Sequence, residues 1–155
     1  MSSKSGILKL LLIDDDPDDR TLFTTALGET GLAVDLTEAT DGYAALNYLF
    51  GRGDYADRAK FPLPDLIFLD LKMPGIDGLG VLKEIRSNPQ LKHLPIIVLS
   101  NSALKSDLVA AYALGAKAAH QKPVHFRGLV HLLQTVISPW LNTRSGDSKR
   151  KSEAA

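Results

Sequence analysis

The 155-residue sequence has no cysteine. That excludes a disulfide framework and a thiolate zinc site. Neither charge is in surplus, because 18 Lys and Arg balance 18 Asp and Glu. A strongly basic nucleic-acid surface is therefore not expected. Long apolar runs are absent too. The run near the N-terminus, Ile7 to Ile13, covers seven residues and is broken by Lys9, far short of the about 20 needed to cross a bilayer. No small-residue cleavage site follows it, so a cytoplasmic setting without a membrane span is expected. There is no Walker-type G-x-x-x-x-G-K-[ST] either.

What is present is a hydrophobic content of 45%, enough for one globular domain. Ile7–Ile13 reads as a strand buried on both faces. Pro17 suits the first turn of a helix with Asp16 as N-cap, and Leu22, Phe23, Ala26 and Leu27 recur on one face. A weaker strand spans Ala33–Ala39. Asp41 caps a helix carrying Leu46, Leu49 and Phe50, and Gly51–Pro64 reads as a long loop. Asp65–Leu71 is a third strand, followed by a helix that Asn88-Pro89 stops. Leu94–Ser100 is a fourth strand. The next helix shows Leu104, Leu108, Val109 and Tyr112 as its apolar residues, with Gly115 as terminator. Ala116–Gln121 is a short fifth strand, and a last helix runs from His125 to about Trp140. The expected organisation is a flexible leader at 1–6, a folded unit at 7–141 and a disordered polar tail at 142–155. Five β-α units argue an α/β fold: a five-stranded parallel, doubly wound sheet with helices on both faces.

In such sheets ligands bind outside the carboxyl ends of the strands, where strand order reverses. The ends of these strands are polar. Strand one runs into Asp14 and Asp15, strand three into Asp70, strand four into Ser100 and Asn101, and strand five into Lys122-Pro123. Three carboxylates sharing a pocket conflict unless a cation neutralises them, and magnesium takes such oxygen ligands. Ser100 and Lys122 are donors suited to an anion. Acids for a metal beside donors for an anion indicate a phosphoryl site, at which a carboxylate can serve as nucleophile. Five aspartates fall within positions 14–19; Asp16, Asp18 and Asp19 are assigned to capping and the helix dipole. The histidines (His93, His120, His125, His131) lack metal-ligand spacing and read as loop or surface residues.

The stretches IDDDP (Ile13–Pro17), FLDLKMPGIDG (Phe68–Gly78), VLSNS (Val98–Ser102) and GAKAAHQKP (Gly115–Pro123) together resemble the receiver domain of two-component response regulators. The resemblance covers about Ile7–Ile137 and implies the flavodoxin-like strand order 2-1-3-4-5. It implies Asp70 as phospho-acceptor, with Asp14, Asp15, Asp70 and the backbone carbonyl of Lys72 around Mg2+. Ser100 becomes the switch hydroxyl and Lys122 the lysine that pairs with the phosphoryl group, with a cis Lys122–Pro123 bond. The implied partner is a sensor histidine kinase or a histidine phosphotransfer protein. The loop Gly51–Pro64 and the Pro139-Trp140 end of the last helix resemble stand-alone receivers associated with phytochrome-type kinases.

Two positions depart from the family. The aromatic usually found three residues before the lysine is Ala119, followed by His120, so no ring is available to rotate there. Asn101 stands where a small residue is usual and is expected to modulate the phosphate lifetime. The chain reads as a single-domain regulator, since little follows Trp140. Phe126, Leu129, Val130, Leu133 and Ile137 form the core stripe of the last helix; Leu132, Val136 and Trp140 widen it into an exposed strip that would suit a homodimer. Two alternatives remain. One is a degenerate receiver acting only as an interaction module. The other is an aspartyl-phosphate phosphatase of the haloacid dehalogenase type, which needs a second aspartate two residues after the nucleophile, where this chain has Lys72. The chain is therefore expected to be no enzyme beyond its own phosphotransfer and dephosphorylation.

Overall fold

The computed structural model describes residues 7–101 and 104–154, with those after 141 described as backbone. The elements alternate as expected. They are β1 (Leu8–Ile13), α1 (Pro17–Thr30), β2 (Val34–Ala39), α2 (Gly42–Phe50), β3 (Leu66–Leu69), α3 (Gly78–Ser87), β4 (Ile96–Ser100), α4 (Lys105–Ala113), β5 (Ala118–Gln121) and α5 (Phe126–Ala154). All neighbours in the sheet are parallel, in the order β2-β1-β3-β4-β5. Strand order reverses between β1 and β3, so their carboxyl ends flank the crevice where a ligand binds.

Side-chain alternation along the strands divides the interior into two layers. Leu11, Ile13, Ile67, Leu69, Ile96 and Val98 face α2, α3 and α4, and Ala119 lies in the same cluster. Leu10, Leu12, Leu66, Phe68, Ile97 and Leu99 face α1 and α5. Burying both faces explains why β1, β3 and β4 read as continuous apolar runs rather than alternating ones.

Local signals set the helix starts. Asp16 accepts from the N–H groups of Asp18 and Asp19, Pro17 opens α1, and Gly31 closes it with φ 71°. Asp41 and Asp77 cap α2 and α3 through the N–H groups of Ala44 and Gly80. The long loop after α2 contains a 3-10 turn at Gly53–Ala56. It is fastened by Arg58, whose guanidinium donates to the carbonyls of Tyr48, Leu49 and Phe61, and by packing among Tyr48, Tyr55 and Phe61.

Five expectations need correction. The first concerns α4, where Leu104, Val109 and Tyr112 are more than half exposed and Ala111 is the buried residue. The neighbouring edge strand turns the small Ala119 to this face, and α4 packs there through Ala111. In α5, Leu133 and Ile137 are fully buried, but Phe126 at the first turn is 39% exposed. Leu132, Val136 and Trp140 are half-buried against the α1–α5 layer rather than forming an exposed strip, because α1 covers that side of the helix. The backbone of α5 also continues as helix to Ala154, where the sequence predicts a disordered tail. Lys, Arg, Glu and Ala in this stretch are good helix formers. Finally, no peptide bond among the described residues is cis. The Lys122–Pro123 bond is therefore trans, the isomer an X–Pro bond favours by about 0.5–1 kcal/mol.

Gly78 opens α3 at a close approach. A Cβ there would collide with the carbonyl oxygen of Asp70 and with the backbone of Leu71, and the Gly78 N–H donates to the Leu71 carbonyl at 2.9 Å. Neither obstacle is a flexible side chain. Gly78→Ala is expected to destabilise the fold by about 2 kcal/mol, as forced overpacking does, and to displace Asp70. Urea denaturation of the purified variant checks the first effect, and its divalent-cation affinity checks the second.

Candidate functional site

The strand ends bring the acids together through backbone ties. The Asp70 N–H donates to the Ile13 carbonyl at 2.9 Å, and the Asp14 N–H donates to the Ala39 carbonyl at 3.2 Å. On the other side, the Lys122 N–H donates to the Ser100 carbonyl at 2.7 Å. These bonds continue the sheet ladders by one residue and fix where each side chain leaves the backbone. Arg20 of α1 adds a clamp: Nη1 donates to the Asp14 carbonyl at 2.9 Å while Nε pairs with Glu38 of β2 at 3.1 Å.

Asp14, Asp15 and Asp70 each offer a carboxylate oxygen, and these oxygens lie within 4.8 Å of one another. Asp14 is 2% exposed and Asp70 5%. Lys122 reaches into the cluster. Its Nζ donates to Asp14 Oδ2 at 2.8 Å and to Asp19 Oδ2 at 2.9 Å, and stands 3.9 Å from Asp70 Oδ1. That last distance is an ion-pair contact but is too long for a hydrogen bond. Asp70 Oδ1 is buried and has no hydrogen-bond partner. A buried carboxylate oxygen left this way is costly.

The electrostatics agree with the geometry. Burial pushes the Asp70 carboxyl up from 3.8 to about 6; Lys122 and a backbone hydrogen bond from Lys72 oppose the rise, and the charges of Asp14 and Asp15 add to it. Burial alone would depress the Lys122 ammonium, but its hydrogen bonds to Asp14 and Asp19 and the charge of Asp70 outweigh that, and the net change is upward. The cluster holds more negative charge than one ammonium neutralises. The buried orphan oxygen and the three converging carboxylates fit a hard divalent cation.

Ser100 is fully buried at the end of β4. Asn101 is exposed, and its Nδ2 donates to Asp19 Oδ2 at 3.2 Å. A cavity of about 70 Å³ lies beside these groups, lined by Asp14, Asp19, Asp70, Asn101 and Lys122 together with apolar side chains such as Leu129. A larger groove of about 1410 Å³ borders β2 and the loop after α2 and contains none of the three clustered acids. The side chain of Lys72 turns outward to Asp107 of α4 at 3.2 Å.

Ala119 faces the α4 side of the sheet with the first core cluster. His120 is half-buried, and strand alternation puts it on the opposite side. Where the expected aromatic ring is missing, Tyr112 of α4 supplies a hydroxyl that accepts a hydrogen bond from the Ala119 N–H at 3.1 Å. Sequence reasoning misses Tyr112, whose spacing marks it only as an apolar helix residue.

It also assigns Asp19 to the helix alone, whereas the structure makes Asp19 a partner of Lys122. Asp16 already caps α1, and five acids in six positions exceed what one helix start uses; that surplus is the available signal. Asp16 is the N-cap as expected, and Asp18 is exposed in the same first turn.

Comparison with known proteins gives the same picture. The sequence profile of the response regulator receiver domain matches residues 10–134. The chain is 35% identical over 144 residues to response regulator Rcp1 of Synechocystis sp., a match covering 92% of this chain and 96% of that protein. Its fold is similar to the phosphorylated cyanobacterial phytochrome response regulator RcpA, with TM-score 0.80 and 34% identity over 88% of this chain and 96% of that one. A Mn2+-bound form of Rcp1 superposes with TM-score 0.77 at 34% identity over the same shares, 88% and 96%. Taken with the acids at the carboxyl edge of the sheet, these matches show that the chain belongs to the family of response regulator receiver domains.

Proposed function

We propose that Asp70 accepts a phosphoryl group from a phosphohistidine of a sensor histidine kinase, or of a histidine phosphotransfer protein, in a Mg2+-dependent relay. The observation that carries this reading is the buried, unpartnered Oδ1 of Asp70 beside two further carboxylates and an ammonium. In the transfer a carboxylate oxygen of Asp70 attacks phosphorus, an O–P bond forms, and the N–P bond breaks with its electron pair left on the imidazole. Asp14, Asp15, Asp70 and the Lys72 carbonyl would hold the cation. When bound, Mg2+ neutralises the clustered carboxylates and the transferring group. Ser100 donates its hydroxyl to a phosphoryl oxygen, and Lys122 places its ammonium against another.

The change is read elsewhere on the surface by contact with another protein. Ala119 has no ring to turn, so the signal runs along β4 and the following loop into α4, where Tyr112 grips the β5 backbone. Similarity to RcpA, a cyanobacterial phytochrome response regulator, supports a phytochrome-type kinase as partner, in a cytoplasmic setting. Among the described residues no helix is long and apolar enough to cross a membrane. The chain acts as an acceptor and switch rather than as an enzyme on an outside substrate.

Incubation with acetyl phosphate and Mg2+, followed by intact mass measurement, tests the reading. A gain of one phosphoryl group that is lost in Asp70→Asn is expected. An unmodified chain would instead favour a receiver used only for protein contacts.

A further inference from the structure

We propose that Asp19 is a positioning residue of the phosphoryl site: together with Asn101 it holds the Lys122 ammonium short of Asp70 and competes for it with the arriving phosphoryl group. This rests on the reading of Asp70 as acceptor.

The ammonium has three hydrogens. Two are engaged, by Asp14 Oδ2 at 2.8 Å and by Asp19 Oδ2 at 2.9 Å. Asp70 Oδ1, at 3.9 Å, is left without a hydrogen bond although it is buried. The lysine is therefore drawn towards α1 and away from the oxygen that most needs a donor. Asp19 Oδ2 also receives the Asn101 amide at 3.2 Å. One carboxylate oxygen thus ties α1 to the residue after β4 and to the lysine after β5.

Asp19 is not occupied by the helix. A residue three positions after the N-cap often turns its side chain back to the cap's N–H. Here the Asp16 N–H is taken by Asp14 Oδ1 at 3.0 Å, and Asp19 points its carboxylate into the site. The side chain of Asp19 is 22% exposed against 2% for Asp14. Of the two engaged partners, Asp19 is the one water can solvate, and so the one the ammonium can leave at lower cost. Its negative charge also opposes the approach of an anionic donor. The hold on Lys122 and this charge both slow phosphorylation and favour the unmodified state, and the exposure of Asp19 keeps the hold releasable.

Asp19→Asn and Asp19→Ala are expected to raise the initial rate of phosphorylation by acetyl phosphate and Mg2+ about tenfold, the size of one like charge removed at close range. Asp19→Glu should return most of the parental rate. The control is Asp18→Asn, which removes the same charge from the same turn of helix but touches no lysine; it should leave the rate near that of the parent. In the metal-free chain, 15N-detected NMR of lysine ammonium groups should show the Lys122 hydrogens exchanging with water several-fold faster in Asp19→Asn. An equal gain from Asp18→Asn would reduce the effect to general charge and overturn the proposal. So would unchanged rates and exchange in Asp19→Asn and Asp19→Ala, given a parent that is phosphorylated on Asp70. A parent that takes no phosphoryl group at all would instead overturn the acceptor reading.

Discussion

Asp70→Asn is expected to be more stable than the parent by about 2–3 kcal/mol at pH 7 in the presence of a chelator, although it removes the proposed phospho-acceptor. The carboxyl is pushed up by burial from 3.8 to about 6 in the folded chain. The native state therefore binds this proton more tightly than the unfolded state does. Between about pH 4 and pH 6 the native state holds more protons, so stability attributable to this group falls as pH rises through that window. Above it the ionised carboxylate opposes folding, by about 1.4 kcal/mol for every tenfold by which burial weakens the acid, and asparagine, of nearly the same shape, does not. Urea denaturation in chelator should show the gap at pH 7 and its disappearance near pH 4. A divalent cation should narrow or reverse the gap, because it binds the native carboxylates and not the unfolded chain. If the variant proves less stable than the parent at pH 7 in chelator, the strained acceptor is ruled out.

Lys122→Met should act in the opposite direction, with a loss of about 3 kcal/mol at pH 7 in chelator. Lys122 Nζ donates to the Asp14 carboxylate at 2.8 Å, and the Asp14 side chain is 2% exposed. Removing one partner of a buried pair leaves an uncompensated charge, a far larger penalty than loss of a surface pair. The ammonium's own ionisation is moved upward, so its contribution is fully present below its unfolded value and is lost only as pH rises through the folded one. Because Lys122 also holds the Asp70 carboxyl down, its removal moves that group further up from about 6, and the deficit should shrink as pH falls and Asp70 protonates. The same substitution removes a positive charge from beside the candidate cation site. Divalent-cation affinity, measured by calorimetric titration with Mg2+ or Mn2+, should rise about tenfold. Unchanged affinity would mean that the ammonium and the cation do not share one cluster.

The two variants probe one imbalance from opposite sides. The native chain carries an excess of negative charge where β1 and β3 end, and Lys122 offsets part of it. Such local instability is typical of a site kept ready for chemistry, and here it has a specific origin in Asp70 Oδ1.

Much of this was legible in the sequence, for local reasons. Buried runs such as Leu66–Leu69 need no partner to be recognised as strands. Asp16-Pro17 marks the start of α1 because capping acts over two or three residues. The acids fall at strand ends once the strands are placed, and a parallel sheet gathers its carboxyl ends on one edge. Thus Asp14, Asp15, Asp70 and Lys122 could be named together before any coordinates.

Other features depend on distances that sequence does not carry. Lys122 and Asp19 are 103 residues apart, and nothing local distinguishes an aspartate that caps a helix from one that holds a lysine across the sheet. The apolar residues named for α4 have helical spacing, but the helix packs on β5 at Ala119 through Ala111, and Leu104, Val109 and Tyr112 stay exposed. Leu132, Val136 and Trp140 are covered because α1 lies beside α5, and Tyr112 meets Ala119 because α4 lies beside an edge strand. Sequence by itself determined the elements, their order and the acids at the strand ends, since each follows from short-range periodicity and residue chemistry. Only the tertiary structure decided which acid holds the lysine and which apolar faces stay open, since both are set by long-range packing between elements.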